Sequence, residues 1–100
     1  MKTIDVTVVR IYTLEGSESV PDILNYLQNE VKIRGVSVFR AISGFGETGT
    51  HTSSLMELSF SLPLVIEFFD HPEKVNTAIE FLSTVTKREH LIFFPAQVNA

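Results

Sequence analysis

Three glycines lie close together near the middle of the chain, where residues 44–49 read G-F-G-E-T-G and match the pattern G-x-G-x-x-G. In dinucleotide-binding proteins this pattern joins a strand to a helix, whose N-terminus holds the pyrophosphate. The residues that follow here favour another strand. A chain of 100 residues also has no room for a kinase, in which a glycine loop does join two strands. The glycines therefore indicate either a loop whose N–H groups hold an anion or a hairpin loop without a ligand.

Two side chains beside the glycines each have two interpretations. Arg40 lies in a predicted strand, and its guanidinium either anchors a phosphate or forms an ion pair with Glu67 or Glu57. Phe45 lies between two glycines, and its ring either packs in the core or stacks on a base. Both residues are therefore candidates for an anion or nucleotide site at the start of the glycine loop.

His51, Ser53, Ser54 and Glu47 include the residue types of a nucleophilic catalytic site. Such a site needs a base held by a third group and donors for an oxyanion, and a loop sequence does not fix that geometry. The three histidines of the chain also lack the i, i+4 spacing of a metal site on a helix. No catalytic residue, metal site or cofactor is therefore expected.

The composition limits the size and the class of the protein. A chain of 100 residues forms one domain and buries roughly 65% of its unfolded surface on folding. The chain has no cysteine, which excludes disulfides and thiol chemistry. Its 8 basic and 12 acidic residues give a net charge of −4, which argues against binding of nucleic acid. No apolar run reaches the roughly 18 residues that cross a membrane, and the N-terminus does not resemble a signal peptide. We expect a cytoplasmic protein without direct membrane insertion.

The periodicity of the apolar residues predicts strands of alternating character and helices with one apolar stripe. In chain order these are a strand over 3–13, a helix from Ser19, strands over 36–43 and 60–69, a helix from Asp70 and a strand over 91–98. Gly35 is expected to end the first helix, and Asp22 and Glu73 to complete capping boxes at the helix starts. The order β-α-β-β-α-β predicts an α+β, ferredoxin-like single domain over residues 1–100. It has a four-stranded antiparallel sheet with two helices on one face.

The face of the sheet that the helices do not cover is also apolar. Val6 and Val8 alternate with Val9 and Ile11 in the first strand, so both of its faces carry aliphatic side chains. A wide apolar face that meets water is typical of an interface. We therefore expect a homo-oligomer in which these faces pack together. The alternative is that long loops or the C-terminal residues cover the face.

Four runs of residues, together with the order of the elements, resemble the PII signal-transduction superfamily. The runs are Ser37-Val38-Phe39-Arg40-Ala41-Ile42-Ser43-Gly44-Phe45-Gly46, Thr50-His51-Thr52, Leu62-Pro63-Leu64-Val65-Ile66-Glu67 and Asp70-His71-Pro72-Glu73-Lys74. They are most similar to the PII-like branch that is classed as a domain of unknown function. The resemblance covers nearly the whole chain.

The resemblance implies a homotrimer whose sheets face the three-fold axis, with a ligand cleft between subunits at the root of the loop over residues 44–58. In well-studied PII proteins that cleft binds adenine nucleotides, and the loop signals to a membrane transporter or an enzyme. Residues 35–37 match the stretch near the base and ribose, and residues 44–46 the stretch near the phosphates. The predicted ligand-binding residues are Gly35, Ser37, Arg40, Gly44, Phe45, Gly46, Thr48, Gly49, His51, Thr52, Lys87 and Arg88.

Two departures from the PII pattern narrow this expectation. Residues 84–90 read T-V-T-K-R-E-H in place of a glycine-rich phosphate loop. Lys87 and Arg88 in that stretch either supply positive charge to the ligand or interact with the C-terminus of the second helix. Residues 53–56 lack the tyrosine that is modified in other members. Sensing of ATP with 2-oxoglutarate and regulation by uridylylation are therefore not expected.

The function predicted from these observations is that of a PII-like trimeric regulator. It binds a small anionic ligand, for which the resemblance implies an adenine nucleotide, and it signals through the loop over residues 44–58. Two alternatives remain open. One is a small ferredoxin-like enzyme with its active site in the trimer cleft, and the other is a structural oligomer without a ligand.

Overall fold

The computed structural model describes residues 1–46, 49–52 and 62–100. The strands in these residues are β1 (Thr3–Leu14), β2 (Val36–Arg40), β3 (Ser43–Gly46), β4 (Gly49–Thr52), β5 (Pro63–Asp70) and β6 (Leu91–Asn99). The helices are α1 (Ser19–Asn25), which continues as a π turn over Tyr26–Glu30, and α2 (Pro72–Val85). A 3-10 turn over Arg88–His90 leads into β6.

Four of the strands form one antiparallel sheet in the order β2-β5-β1-β6, and β3 pairs with β4 in a separate hairpin. The register places Val9 beside Phe68 of β5 and Phe93 of β6. Both helices pack on the face that carries Val9. The buried core there consists of Val9, Ile11, Ile23, Tyr26, Leu27, Ile33, Ile66, Phe68, Val75, Ala78 and Leu82. The predicted α+β, ferredoxin-like fold is confirmed. In the described ranges neither helix is long and apolar enough to cross a bilayer.

The first helix ends earlier than the glycine at position 35 predicts. Its last turn widens so that Val31 N–H donates to Tyr26 O at 3.0 Å, and Lys32 then adopts a left-handed conformation with φ of 59°. The predicted stop at Gly35 is wrong, because Lys32 takes the position after the helix that glycine usually fills. Among the described residues no side chain caps the helix start at Ser19, so the first capping box is wrong as well.

The carboxylate of Asp70 is buried at the end of β5, with 1% of the residue exposed. It accepts hydrogen bonds from the backbone N–H groups of His71 at 2.7 Å and Arg34 at 3.3 Å. The ammonium group of Lys74 lies 3.8 Å from the same carboxylate. The predicted capping box with Glu73 is wrong, because α2 begins after His71, one residue later than predicted. Asp70 instead links the start of α2 to the segment that precedes β2.

The predicted second strand is divided into two. β2 ends at Arg40, and the chain bends at Ile42 before β3 begins. Ala41 N–H still donates to Pro63 O at 2.9 Å, but Pro63 is the first residue of β5 and has no N–H with which to extend the pairing. The strand predicted over 60–69 accordingly begins at Pro63 in the described part of the chain.

Candidate functional site

The predicted ligand-binding residues fall into three groups. The first, on or just before β2, is Gly35, Ser37 and Arg40. The second, in the β3–β4 hairpin, is Gly44, Phe45, Gly46, Gly49, His51 and Thr52. The third, where the chain approaches β6, is Lys87 and Arg88. Thr48 lies outside the described residues.

The junction where β2 leaves the sheet and β5 enters it, here called the loop root, is held by backbone hydrogen bonds. Glu15 N–H donates to Leu62 O at 2.7 Å, and Ala41 N–H donates to Pro63 O at 2.9 Å. A Cβ at Gly44 would lie 3.4 Å from Pro63 Cγ, so the glycine of β3 approaches the same proline. The β1–α1 turn, the end of β2 and the start of the hairpin therefore meet around the first residues of β5.

Arg40 forms an ion pair with Glu15 across the start of β5. The side chain of Arg40 is 63% exposed, whereas that of Glu15 is 22% exposed. Glu67, one of the two predicted partners, is engaged by Arg10 instead, and the register directs it to the other face of the sheet from Arg40. Glu57, the other predicted partner, lies outside the described residues. An ion pair is therefore present at Arg40, but its partner is a residue of the β1–α1 turn.

Phe45 does not pack in the core, because 85% of its surface is exposed in the hairpin. Ile42, just before the hairpin, is 81% exposed. The core interpretation of Phe45 is therefore wrong for the single chain. The hairpin register also places Gly44 opposite His51, so the glycine run and the following Thr-His-Thr segment lie side by side.

Lys87 and Arg88 lie at the same end of the sheet as Arg40, just before the strand at the opposite edge. Arg40 is in edge strand β2, whereas the other two residues lead into edge strand β6, and both β5 and β1 lie between. Neighbouring strands are about 4.8 Å apart, so the two edges are separated by about 14 Å. The structure therefore does not bring these three basic residues together within one chain.

The face of the sheet opposite the helices, here called the open face, is largely apolar. Its most exposed apolar side chains, each 41–54% exposed, are Ile4, Tyr12, Phe39, Phe69 and Ile92. Near its centre Arg10 Nε donates to Glu67 Oε1 at 2.7 Å, and the guanidinium carbon lies 5.2 Å from the centre of the Phe94 ring. The hydrogen bond to Glu67 raises the pKa of Arg10. The predicted apolar second face is confirmed, with one ion pair set into it.

Two residues of these sites were not predicted. Glu15 follows the first strand in a polar stretch and has the composition of an ordinary turn. No local signal in the sequence relates it to Arg40. Arg10 does carry a signal, because it is a charged residue between Val8 and Tyr12 on one face of a strand that is otherwise rich in β-branched residues.

The fold is that of the PII-like proteins. One solved structure with this fold is that of CPII from Thiomonas intermedia K12, a nitrogen regulatory PII-like protein bound to ADP, AMP and bicarbonate. It matches this chain with a TM-score of 0.75 and 20% sequence identity, and the match covers 99% of this chain and 92% of that chain. At this identity the similarity establishes the fold.

Sequence comparison identifies the family. The family model DUF190, described as Uncharacterized ACR, COG1993, matches residues 2–98. A UPF0166 protein from Aquifex aeolicus (strain VF5) is 36% identical over 86 residues, which are 80% of this chain and 81% of that protein. A UPF0166 protein from Methanocaldococcus jannaschii is 29% identical over 89 residues, 85% of this chain and 82% of that protein. The chain belongs to the DUF190 family, and the predicted resemblance to the PII-like branch is confirmed.

Proposed function

We propose that the protein is a trimeric PII-like regulator that binds a small anionic ligand between its subunits and has no catalytic activity of its own. An adenine nucleotide is the first candidate, since CPII binds ADP and AMP on the same fold. Ligand binding is relayed through the loop over residues 44–58 to a membrane transporter or an enzyme in the cytoplasm. The exposed apolar side chains of Ile42 and Phe45 support a partner-binding role for this region.

The observation that carries the proposal is the separation of the basic residues within one chain. Arg40 lies on one edge of the sheet, and Lys87 and Arg88 lead into the strand at the other edge, about three strand spacings away. An assembly that places β2 of one subunit near the start of β6 of the next brings them together at every interface. The open face supports such an assembly, because its apolar side chains leave water when the sheets face one another.

Thermal unfolding of the purified protein with AMP, ADP, ATP, cyclic nucleotides and simple anions tests ligand binding. A ligand that binds only the folded state stabilises it by RT ln(1 + [L]/Kd), about 2.7 kcal/mol at a concentration 100 times Kd. We expect at least one nucleotide to raise the midpoint temperature by several degrees. Failure of the whole panel would favour a structural oligomer without a ligand. Turnover of a nucleotide that is lost in His51→Ala would favour the enzyme.

Complementation between variants tests whether the site lies between subunits. Arg40→Gln and the double variant Lys87→Gln/Arg88→Gln are each expected to lose high-affinity nucleotide binding, with the affinity falling about tenfold. When the two are dissociated, mixed and reassembled, about a quarter of the sites should recover, because an intact interface takes its basic residues from one copy of each variant. Calorimetric titration with the nucleotide found above gives the number of sites. Lys2→Gln, at the other end of the sheet, is the control.

Recovery on mixing distinguishes the arrangement from a site within one chain. If all three basic residues served a ligand within the same subunit, each subunit of the mixture would still lack part of its site, and no binding would return. That outcome would contradict the inter-subunit cleft while leaving ligand binding itself intact.

A further inference from the structure

The two partners of the ion pair at the loop root differ in how firmly they are held. Glu15 is anchored by its backbone N–H to Leu62 O at 2.7 Å, and 22% of its side chain is exposed. Arg40 extends from an edge strand, and 63% of its side chain is exposed. The carboxylate is therefore the fixed partner, and the guanidinium is the partner that is free to turn toward another anion.

Arg40 is also the basic residue of the candidate site that lies nearest in the chain to the glycines of β3. A guanidinium has five N–H donors, and both carboxylates and phosphates bind to it through paired hydrogen bonds. Two anions brought to the same guanidinium repel each other. A ligand phosphate that reaches Arg40 must therefore displace the carboxylate of Glu15 or bind against its charge.

We propose that Glu15 occupies the anion-binding position at Arg40 in the empty site and competes there with the phosphate of the ligand. This inference rests on the proposed function and identifies a residue that sets the affinity and specificity of that site. Glu15 acts through Arg40 and does not contact the ligand. It lowers the affinity of every ligand that uses Arg40 and leaves a neutral ligand, such as adenosine, unaffected.

Calorimetric titration of ADP into four forms of the full-length protein tests the competition. The forms are the wild type, Glu15→Gln, Arg40→Gln and the double variant. Removing the competing charge in Glu15→Gln should raise the affinity for ADP about fivefold, the upper range for a partly exposed ion pair. In the Arg40→Gln background the same substitution should change the affinity by less than about twofold, because its effect requires the guanidinium. The affinity for adenosine should be the same in the wild type and in Glu15→Gln.

Glu18→Gln is the matched control. Glu18 lies in the same turn and is exposed, and its substitution removes the same charge. If Glu15 acts only as general negative charge, Glu15→Gln raises the affinity equally with and without Arg40, and the inference is overturned. If the wild type and Glu15→Gln bind ADP equally well, the inference fails and the proposed function stands. If neither binds any nucleotide, the proposed function fails as well.

A folding control accompanies these titrations. The sedimentation coefficient of Glu15→Gln should match that of the wild type. Its unfolding midpoint should fall by no more than a few degrees, because only the partly exposed ion pair is lost and the backbone bond from Glu15 to Leu62 does not involve the carboxylate. Should Glu15→Gln fail to fold, Glu15→Asn removes the same charge with a shorter side chain, and the same fivefold gain in affinity is expected of it.

Discussion

Phe69→Glu should convert the assembly into monomers. Phe69 lies on the open face in β5, an inner strand, beside Val8 of β1, and it is 47% exposed in the single chain. A glutamate there reaches water in the monomer. When the sheets face one another it is buried near Glu67, which already engages Arg10, so the added charge is not compensated. An uncompensated buried charge costs about 3–5 kcal/mol, and a symmetric trimer incurs that cost in each subunit. Sedimentation velocity should give three times 11.2 kDa for the wild type and 11.2 kDa for the variant.

The matched control for this experiment is Asn76→Glu. Asn76 is an exposed residue of α2, which packs on the other face of the sheet, so the substitution adds the same charge away from the open face. The control should remain an assembly. A wild-type protein that sediments as a monomer at micromolar concentration would contradict the proposed trimer. Dissociation of the Asn76 variant as well would show that added negative charge, and not its place on the open face, separates the subunits.

Asp70→Asn should destabilise the fold strongly at neutral pH. The carboxylate accepts the N–H groups of His71 and Arg34 and lies near the ammonium group of Lys74, all at a position with 1% exposure. An amide has one oxygen for these donors and no charge, so we expect a loss of about 2–3 kcal/mol in the free energy of unfolding. Urea unfolding at pH 7 and at fixed protein concentration measures it. Asp22→Asn, an exposed position in α1, is the control.

The destabilisation by Asp70→Asn should become smaller as the pH falls. Burial by itself raises the pKa of Asp70, but the hydrogen bonds from His71 and Arg34 and the charge of Lys74 outweigh it and lower the pKa below its ordinary value. The ionised form is thus favoured by folding. The stability it contributes is fully present above the unfolded value of about 3.9 and is lost as the pH falls through the lower folded value. The difference between wild type and variant should therefore narrow in acid. A constant difference would contradict the role of the charge.

The four strands of the main sheet and the two helices were predictable because each is encoded in a local pattern of burial, whereas the division between β2 and β3 and the strand β4 were not predicted. The alternation of buried and exposed residues in β1, and the three- to four-residue spacing of buried residues in α2, can each be seen within a few neighbouring residues of the sequence. The end of the first helix was not predictable in the same way. Lys32 replaces Gly35 as the left-handed residue, and its carbonyl oxygen accepts a hydrogen bond from Lys74 Nζ at 3.1 Å. A contact across 42 residues leaves no local pattern from which that turn could be predicted.

Most individual residues of the candidate site could be predicted from the sequence, but which of them lie next to each other in the folded chain could not. Arg40 and the glycines could be identified from residue type and resemblance, yet the partner of Arg40 depends on β5 lying between β1 and β2. Glu15 becomes its neighbour only when the end of β1 and the end of β2 reach the same level of that strand. The position of Lys87 at the opposite edge likewise follows from strand order, which single residues do not encode.

The pairing of β1 with β6 has a consequence for synthesis on the ribosome. β1 is an inner strand, and the register joins Thr3 to Asn99. One edge of β1 therefore has no hydrogen-bonding partner until β6 has been synthesised. Until β6 emerges, the nascent chain carries β1 as an unprotected edge with aliphatic side chains on both faces, which is the kind of surface on which chains aggregate. The four-stranded sheet is therefore completed only after β6 has been synthesised.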